Sequence, residues 1–218
     1  MKIIQPSVEV LRYTEDLTEI LEVGGRTCYK SEGLICEGSD VKFIEKLKSF
    51  KHESVLEHGA ITVRFVTDRG VMAELTRHRM ASFSVESTRY CNYSKDKFDN
   101  DITVIEPFFF TEDAKSGMYS NWKRSCEESE TWYLALTKMG ASAQEARSVL
   151  PNSLKTEIIM TANPREWRHV MNTRSHRDAH PQIRQIMCPL LVEFRKMWPV
   201  LFDDVGNIEH TCPAEIIP

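Results

Sequence analysis

Apolar residues recur at helical spacing early in the chain. Leu17, Ile20 and Leu21, then Val41, Ile44 and Leu47, predict amphipathic helices near 15–30 and 40–50. From 61 to 66 the period shortens to two. Ile61, Val63 and Phe65 share one face and Thr62 and Arg64 the other, the pattern of a strand, and a second strand is expected over 102–105. Between them Val71, Leu75 and His78 stand at i, i+4 and i+7. That spacing predicts a short helix over 71–82 whose last turn carries Arg77 and Arg79, followed by a polar loop.

In the second half, 112–139 reads as a long helix with Met118, Trp122 and Cys126, then Trp132, Leu136 and Met139, along its stripe, and Gly140 as its stop. Ser142-Ala143-Gln144-Glu145 has the form of a capping box opening a helix that Pro151 ends. The stretch 155–162 fits either a strand or a continued helix. In Asn163-Pro164-Arg165-Glu166 a capping side chain, a proline at the first helical position and a glutamate three residues after the cap mark a helix start. A last helix begins near Pro181, with Ile183, Ile186, Met187, Leu190, Leu191, Phe194 and Met197 buried and a kink expected at Pro189. Helices outnumber strands without a regular alternation. The expected class is α+β and helix-rich, with an antiparallel or mixed sheet packed with several helices. No repeat or linker interrupts residues 1–218, so one domain is expected.

Composition bounds the function. At 218 residues, 41% apolar and 28% charged, the chain can bury a sizeable core without metal or disulfide. Its six cysteines include no Cys-x-x-Cys pair, so six reduced thiols are expected. A net charge of −4 lacks the basic field of a nucleic-acid binder, and no apolar run is long enough for a membrane span. The N-terminal residues lack a secretory pattern, which points to the cytoplasm, without membrane or nucleic-acid partners.

Arginine is distributed unevenly. Of fifteen, five lie at 64–89 (Arg64, Arg69, Arg77, Arg79 and Arg89) and five at 165–184 (Arg165, Arg168, Arg174, Arg177 and Arg184), and neither window contains lysine. Solvated helix faces mix the two cations, whereas the planar guanidinium holds phosphates and carboxylates bidentately. An anionic small molecule is implied. The densest stretch is Arg77-His78-Arg79 followed, after seven residues, by Ser87-Thr88-Arg89-Tyr90.

That signature resembles the flavin-dependent thymidylate synthases. So do His52-Glu53-Ser54 with Glu57-His58, Arg147 before Val149-Leu150-Pro151, Asn163-Pro164-Arg165, and Arg174 with His180-Pro181-Gln182-Ile183-Arg184, all in the family's order over about residues 12–200. The resemblance implies reductive methylation of dUMP to dTMP, with 5,10-methylenetetrahydrofolate as carbon donor, FAD as cofactor and NADPH as reductant. It also implies a homotetramer with active sites at subunit interfaces.

Carried onto this chain, the resemblance gives Arg77, His78 and Arg79 to FAD, with Ser54, Asn163, Arg165 and His169 as further cofactor contacts. Glu74, Arg77, Glu86, Ser87, Thr88 and Arg89 would hold dUMP, Arg147 would grip its phosphate from a neighbouring subunit, and Arg174 would polarise the uracil ring near N3. His52 is a candidate for proton transfer near the folate. Three positions depart from the family's usual residues: Glu74 replaces a Gln, Val85 an acidic or amide residue, and His169 an Asn.

Other chemistries fare less well. Ser87 reads as a positioning residue, because no histidine spacing guarantees it a base. His52 and His58 are six apart and face different ways, and His176 with His180 lacks a third ligand, so no metal site is expected. Trp122, Trp132 and Tyr133 have helical spacing and are read as core or subunit-interface residues. A non-catalytic nucleotide- or RNA-binding module could use the same arginines, but the acidic balance and the absence of lysine from both windows count against it. A metal-dependent phosphohydrolase would need an Asp/His cluster that the sequence does not display.

Overall fold

A computed structural model describes residues 1–110 and 116–206. In chain order the elements are β1 (Lys2–Ile4), β2 (Ser7–Tyr13), α1 (Leu17–Tyr29), α2 (Ser39–Ser49), β3 (Ile61–Asp68), α3 (Arg69–Leu75), β4 (Ala81–Val85), β5 (Thr103–Ile105), α4 (Ser116–Lys138), α5 (Ala143–Ala146), β6 (Lys155–Ala162), α6 (Pro164–Arg174), α7 (Pro181–Met197) and α8 (Pro199–Phe202). The helix-rich α+β class expected from the pattern is the one observed. One sheet has the order β2-β3-β6-β4, and β1 pairs in parallel with β5, Ile3 opposite Val104.

The chain forms two compact units. The first comprises Met1–Ser7, Phe65–Arg77 and Ser84–Ile158; the second comprises Val8–Arg64, His78–Phe83 and the chain from Ile159 onward. The first unit's core gathers Tyr93, Ile102, Val104, Cys126, Tyr133 and Leu154, with Trp122 and Phe98 against it. In the second, the rings of Trp167 and Phe194 meet edge to face at 5.3 Å and those of Phe194 and Phe202 at 4.9 Å, a geometry that favours aromatic pairs. Buried Trp167 donates its indole N–H to the Ile61 carbonyl at 3.0 Å. Helices α1 and α2 approach closely. A Cβ on Gly25 would lie 2.4 Å from the Phe43 ring and one on Gly24 would lie 2.9 Å from His58, so both glycines serve close packing inside a helix.

Several expectations are refined. The stretch left open at 155–162 is strand β6, with Thr156, Ile158, Met160 and Ala162 buried in alternation. The helix expected over 71–82 is corrected. It begins two residues earlier, where Asp68 accepts the Val71 N–H at 2.7 Å, and ends at Leu75. Residues 81–85 form strand β4 instead of the last helical turn, because the exposed Ser82 and Ser84 alternate with the half-buried Ala81, Phe83 and Val85. His78 completed the helical pattern, but it is buried for a polar reason described below. Strands β1 and β2 were not anticipated.

In α4 Cys126 is buried as expected and Trp122 and Leu136 pack against the core, but Tyr119 and Tyr133 are buried in place of their neighbours Met118 and Trp132, which are exposed, as is Met139. Residues 112–115 of that expected helix lie outside the described residues. Gly140 adopts φ +102°, consistent with its role as the stop. The box at 142–145 closes, the Ser142 N–H donating to the Glu145 carboxylate at 2.8 Å. Helix α7 continues through Pro189. Cys28, Cys36, Cys91 and Cys126 are free thiols. Cys188 is disulfide-bonded, which corrects the expectation of six reduced thiols, and Cys212 lies outside the described residues. Among the described residues no helix is long and apolar enough to cross a membrane.

Candidate active site

The second unit contains most of the residues expected to meet a cofactor. Helix α6 starts where the Asn163 side chain accepts the Glu166 N–H at 2.8 Å. Because its oxygen is engaged as the cap, what Asn163 offers a ligand is its amide NH2. The helix then presents Glu166 and His169, three residues apart, on one face. A cleft of about 440 Å³ is lined by Glu53, Glu57, Met80, Asn163, Arg165, His169 and neighbouring residues of α6. A second cavity of about 350 Å³ is lined by Cys28, Lys51, His52, Ser54 and others, and shares Glu53 and Arg165 with the first. Arg165 donates to Glu57 at 2.6 Å and lies 3.5 Å from Glu53.

His78 is the buried centre of this region, 6% exposed. Arg174 at the end of α6 donates its Nε–H to His78 Nε2 at 3.0 Å, so that nitrogen is an acceptor and the ring proton resides on Nδ1. Nδ1 lies 3.5 Å from Glu166, and the His169 ring stands edge-on with centroids 5.6 Å apart. Burial first, then the Arg174 charge, then His169, hold the His78 pKa down to about 4. It is a neutral imidazole at pH 7. Burial also raises the Glu166 carboxyl above its ordinary value.

His78, Glu166 and His169 place ligand atoms within 4.8 Å of one another, the geometry of a possible cation site. Electrostatics oppose that use. The Nε2 lone pair is already taken by a guanidinium, whose charge would repel a metal at the same place.

The first unit holds the expected nucleotide residues other than Arg174. Thr88 is buried and Ser87 half-buried in the segment after β4, where the Ser87 carbonyl accepts the Cys91 N–H at 2.8 Å. Arg89 donates from Nε to Gln144 at 3.1 Å, and its guanidinium lies 5.3 Å from the centre of the Tyr90 ring. Arg147 donates to the Thr88 hydroxyl at 3.4 Å. The fold thus brings Arg147 to Ser87-Thr88-Arg89 within a single chain, 59 residues apart in sequence. Glu86 differs from its neighbours: its carboxylate accepts from Tyr93 at 3.0 Å and from Lys155 at 2.9 Å.

Arg77 and Arg79 are exposed at the turn between α3 and β4, and Glu74 is half-buried in α3. His52 and Ser54 are exposed on one cavity wall, and the His52 ring lies 5.9 Å from that of Phe50. Sequence reasoning missed Glu166 as the partner of His78, and Tyr93 and Lys155 as partners of Glu86. The three-residue spacing of Glu166 and His169 was a usable signal. Nothing local announced Lys155.

Residues 9–200 match the family described as thymidylate synthase complementing protein. A flavin-dependent thymidylate synthase of Geobacter sulfurreducens is 31% identical over 215 residues, covering 94% of this chain and 90% of the relative. A probable flavin-dependent thymidylate synthase of Mycobacterium phage L5 is 29% identical, covering 90% and 84%. Among solved structures, a UMP/dUMP methylase from Streptomyces cacaoi bound with 5-Br dUMP superposes with TM-score 0.77 at 23% identity, covering 93% and 96%. Thymidylate synthase X of Helicobacter pylori with FAD and dUMP gives 0.74 at 23%, covering 92% and 98%.

Proposed function

The chain belongs to the thymidylate synthase complementing protein family, the flavin-dependent thymidylate synthases, and from that premise we propose how its residues divide the work. It is an FAD-dependent methyltransferase acting on dUMP. The finer reading is that 5,10-methylenetetrahydrofolate donates the carbon and NADPH the reducing equivalents.

The residues present fit the cofactor. An elongated dinucleotide with a diphosphate and a flat ring needs guanidinium and amide donors along a slot. The two cavities that share Arg165, with Asn163, His169 and Ser54 on their walls, offer that combination. When bound, FAD supplies hydride chemistry that no side chain provides. Arg77, His78 and Arg79 belong to the flavin set in this reading, with Arg77 also reaching dUMP.

The single observation that carries the reading is the bond from Arg174 to His78. It joins the Arg-His-Arg signature to a residue 96 positions away. A buried neutral imidazole accepts from Nε and so helps to orient the Arg174 guanidinium. So held, Arg174 stabilises the electron density that develops on the uracil ring as C5 becomes nucleophilic. Ser87, Thr88 and Arg89 hold the nucleotide with Glu74 and the Glu86 segment, Arg147 takes its phosphate, and His52 passes a proton or orders a water beside the folate.

The assembly in this proposal is a cytoplasmic homotetramer of single-domain subunits with active sites at subunit interfaces. The exposed Tyr29, Leu34 and Trp132, each more than 60% accessible, supply apolar surface for contacts between subunits.

The test is anaerobic absorbance of the FAD-loaded protein before and after NADPH, with and without dUMP, followed by assay of dTMP after addition of the folate. A flavin band that bleaches with NADPH, shifts with dUMP and precedes dTMP formation is expected. Absence of any retained flavin would overturn the reading in favour of a nucleotide-binding module.

A further inference from the structure

Glu86 uses every polar group it has within its own unit. Its N–H donates to the Glu157 carbonyl at 2.9 Å, and its carbonyl accepts from Arg69 at 3.2 Å. One carboxylate oxygen accepts from the Tyr93 hydroxyl at 3.0 Å and the other from the Lys155 ammonium at 2.9 Å. The Glu86 and Lys155 side chains are 15% and 20% exposed, so this is a largely desolvated pair. Burial opposes the charge on Lys155, but the carboxylates of Glu157 and Glu86 outweigh it and hold the ammonium above its ordinary value. Burial first, then the Glu86 charge, push the Tyr93 phenol well above its usual range, so Tyr93 remains a neutral donor.

A carboxylate tied through both oxygens is fixed in place, and a nucleotide phosphate would be repelled by it. The residue that follows it is Ser87, whose carbonyl and hydroxyl organise the next turn: the Arg89 N–H donates to Ser87 Oγ at 3.3 Å. We infer that Tyr93 and Lys155 are positioning residues for the nucleotide, acting through Glu86 to hold Ser87-Thr88-Arg89 in the conformation that receives dUMP. This rests on the assignment of that segment to dUMP in the proposed function. The contribution of Glu86 is then to anchor the segment, not to touch the substrate.

The physical case is one of preorganisation. A loop tethered at its first residue by four hydrogen bonds loses little conformational entropy when the ligand arrives, and affinity rises accordingly. Loosening the tether should cost binding and leave the chemical step alone. Lys155 and Tyr93 act on one carboxylate, so their effects should be coupled, not additive.

Steady-state kinetics and flavin-monitored dUMP titration on the FAD-loaded protein test this. Tyr93→Phe removes one hydroxyl and should raise the KM and Kd for dUMP several-fold. Lys155→Met should raise them roughly tenfold, the usual cost of a charge-assisted hydrogen bond. In both variants kcat should stay within about twofold, with flavin occupancy and unfolding midpoint near the wild-type values. Lys155→Arg should restore most of the affinity. Unchanged dUMP affinity in Tyr93→Phe and Lys155→Met would overturn the inference. So would a parallel fall in kcat, flavin occupancy and unfolding midpoint, which would mark the pair as general structural support. Failure of Lys155→Met to fold leaves the decision to Tyr93→Phe and Lys155→Arg. Wild-type protein titrated first keeps the two questions apart: if it does not bind dUMP, the proposed function fails before the variants are compared.

Discussion

Arg165 and Arg168 of the second unit are held differently from Arg89 and Arg147 of the first. In the second unit Arg165 is paired with Glu57 and Glu53, and Arg168 makes a two-pronged bond to Asp204 at 2.7 and 2.8 Å. In the first unit the partners of Arg89 and Arg147 are the neutral Gln144 and Thr88. A carboxylate partner orients a cation and cancels its charge, whereas an amide or hydroxyl orients it and leaves the charge for a ligand. The first arrangement suits a large ligand gripped by many contacts of both polarities, the second a compact phosphate. Arg174 in the second unit likewise donates to an uncharged group, the buried His78 imidazole.

The comparison is sharpest at Arg174. Arg174→Lys should lower kcat on the order of 100-fold with FAD still retained, because an ammonium lacks the planar fork and the Nε–H that His78 accepts. Turnover near wild type would show that a point charge suffices.

The neutrality of His78 has a pH signature. Its folded pKa of about 4 lies below the ordinary 6.5, so between those values the unfolded chain binds more protons than the folded one. Folding stability should therefore fall as pH drops from about 6.5 to 4, by up to roughly 3 kcal/mol. Asp204 acts in a lower window. Burial works against its charge, but Arg168 and Lys48 outweigh it and hold its pKa well below the usual carboxylate range, so its contribution is lost only below about pH 4. Denaturant unfolding across pH should show His78→Gln flattening the upper window alone. An unchanged slope would mean that His78 does not titrate as described.

A crossed pair of variants separates the units. Arg79→Ala should weaken FAD retention roughly tenfold with dUMP affinity preserved in the remaining holoenzyme, and Arg147→Ala should raise the dUMP KM by a similar factor with flavin retained. If either variant loses both ligands together, the assignment of one ligand to each set of residues is wrong. The smallest effect is expected from Ser87→Ala, a rise in dUMP KM of a few-fold. Complete loss of turnover with unperturbed dUMP binding would instead make Ser87 a reacting group.

Legibility from sequence followed the range of each interaction. The caps at Asn163 and Ser142, the stop at Gly140 and the buried stripe of α7 are set by residues within a few positions of one another, and the structure has them as expected save that Met197 is only half-buried. The helix over 71–82 was misread because His78 counts as one more periodic residue until its partner Arg174 is known. Strand β4 was missed because serines on one face of a five-residue strand look like a loop. Within the stripe of α4, Met118 and Trp132 were misassigned because they are as apolar as the neighbouring Tyr119 and Tyr133 that are buried instead.

Residue types and local spacing alone determined the α+β class, the two lysine-free arginine windows and the family signature, since these depend on composition and near-neighbour geometry. Only the tertiary structure decided which charges survive in the site. Whether a guanidinium meets a carboxylate, an imidazole or a hydroxyl depends on contacts that span 59 residues for Arg147 and Thr88, 69 for Lys155 and Glu86, and 96 for Arg174 and His78. Burial, which makes His78 neutral and partly shields the Glu86 pair, exists only once the chain has closed around them.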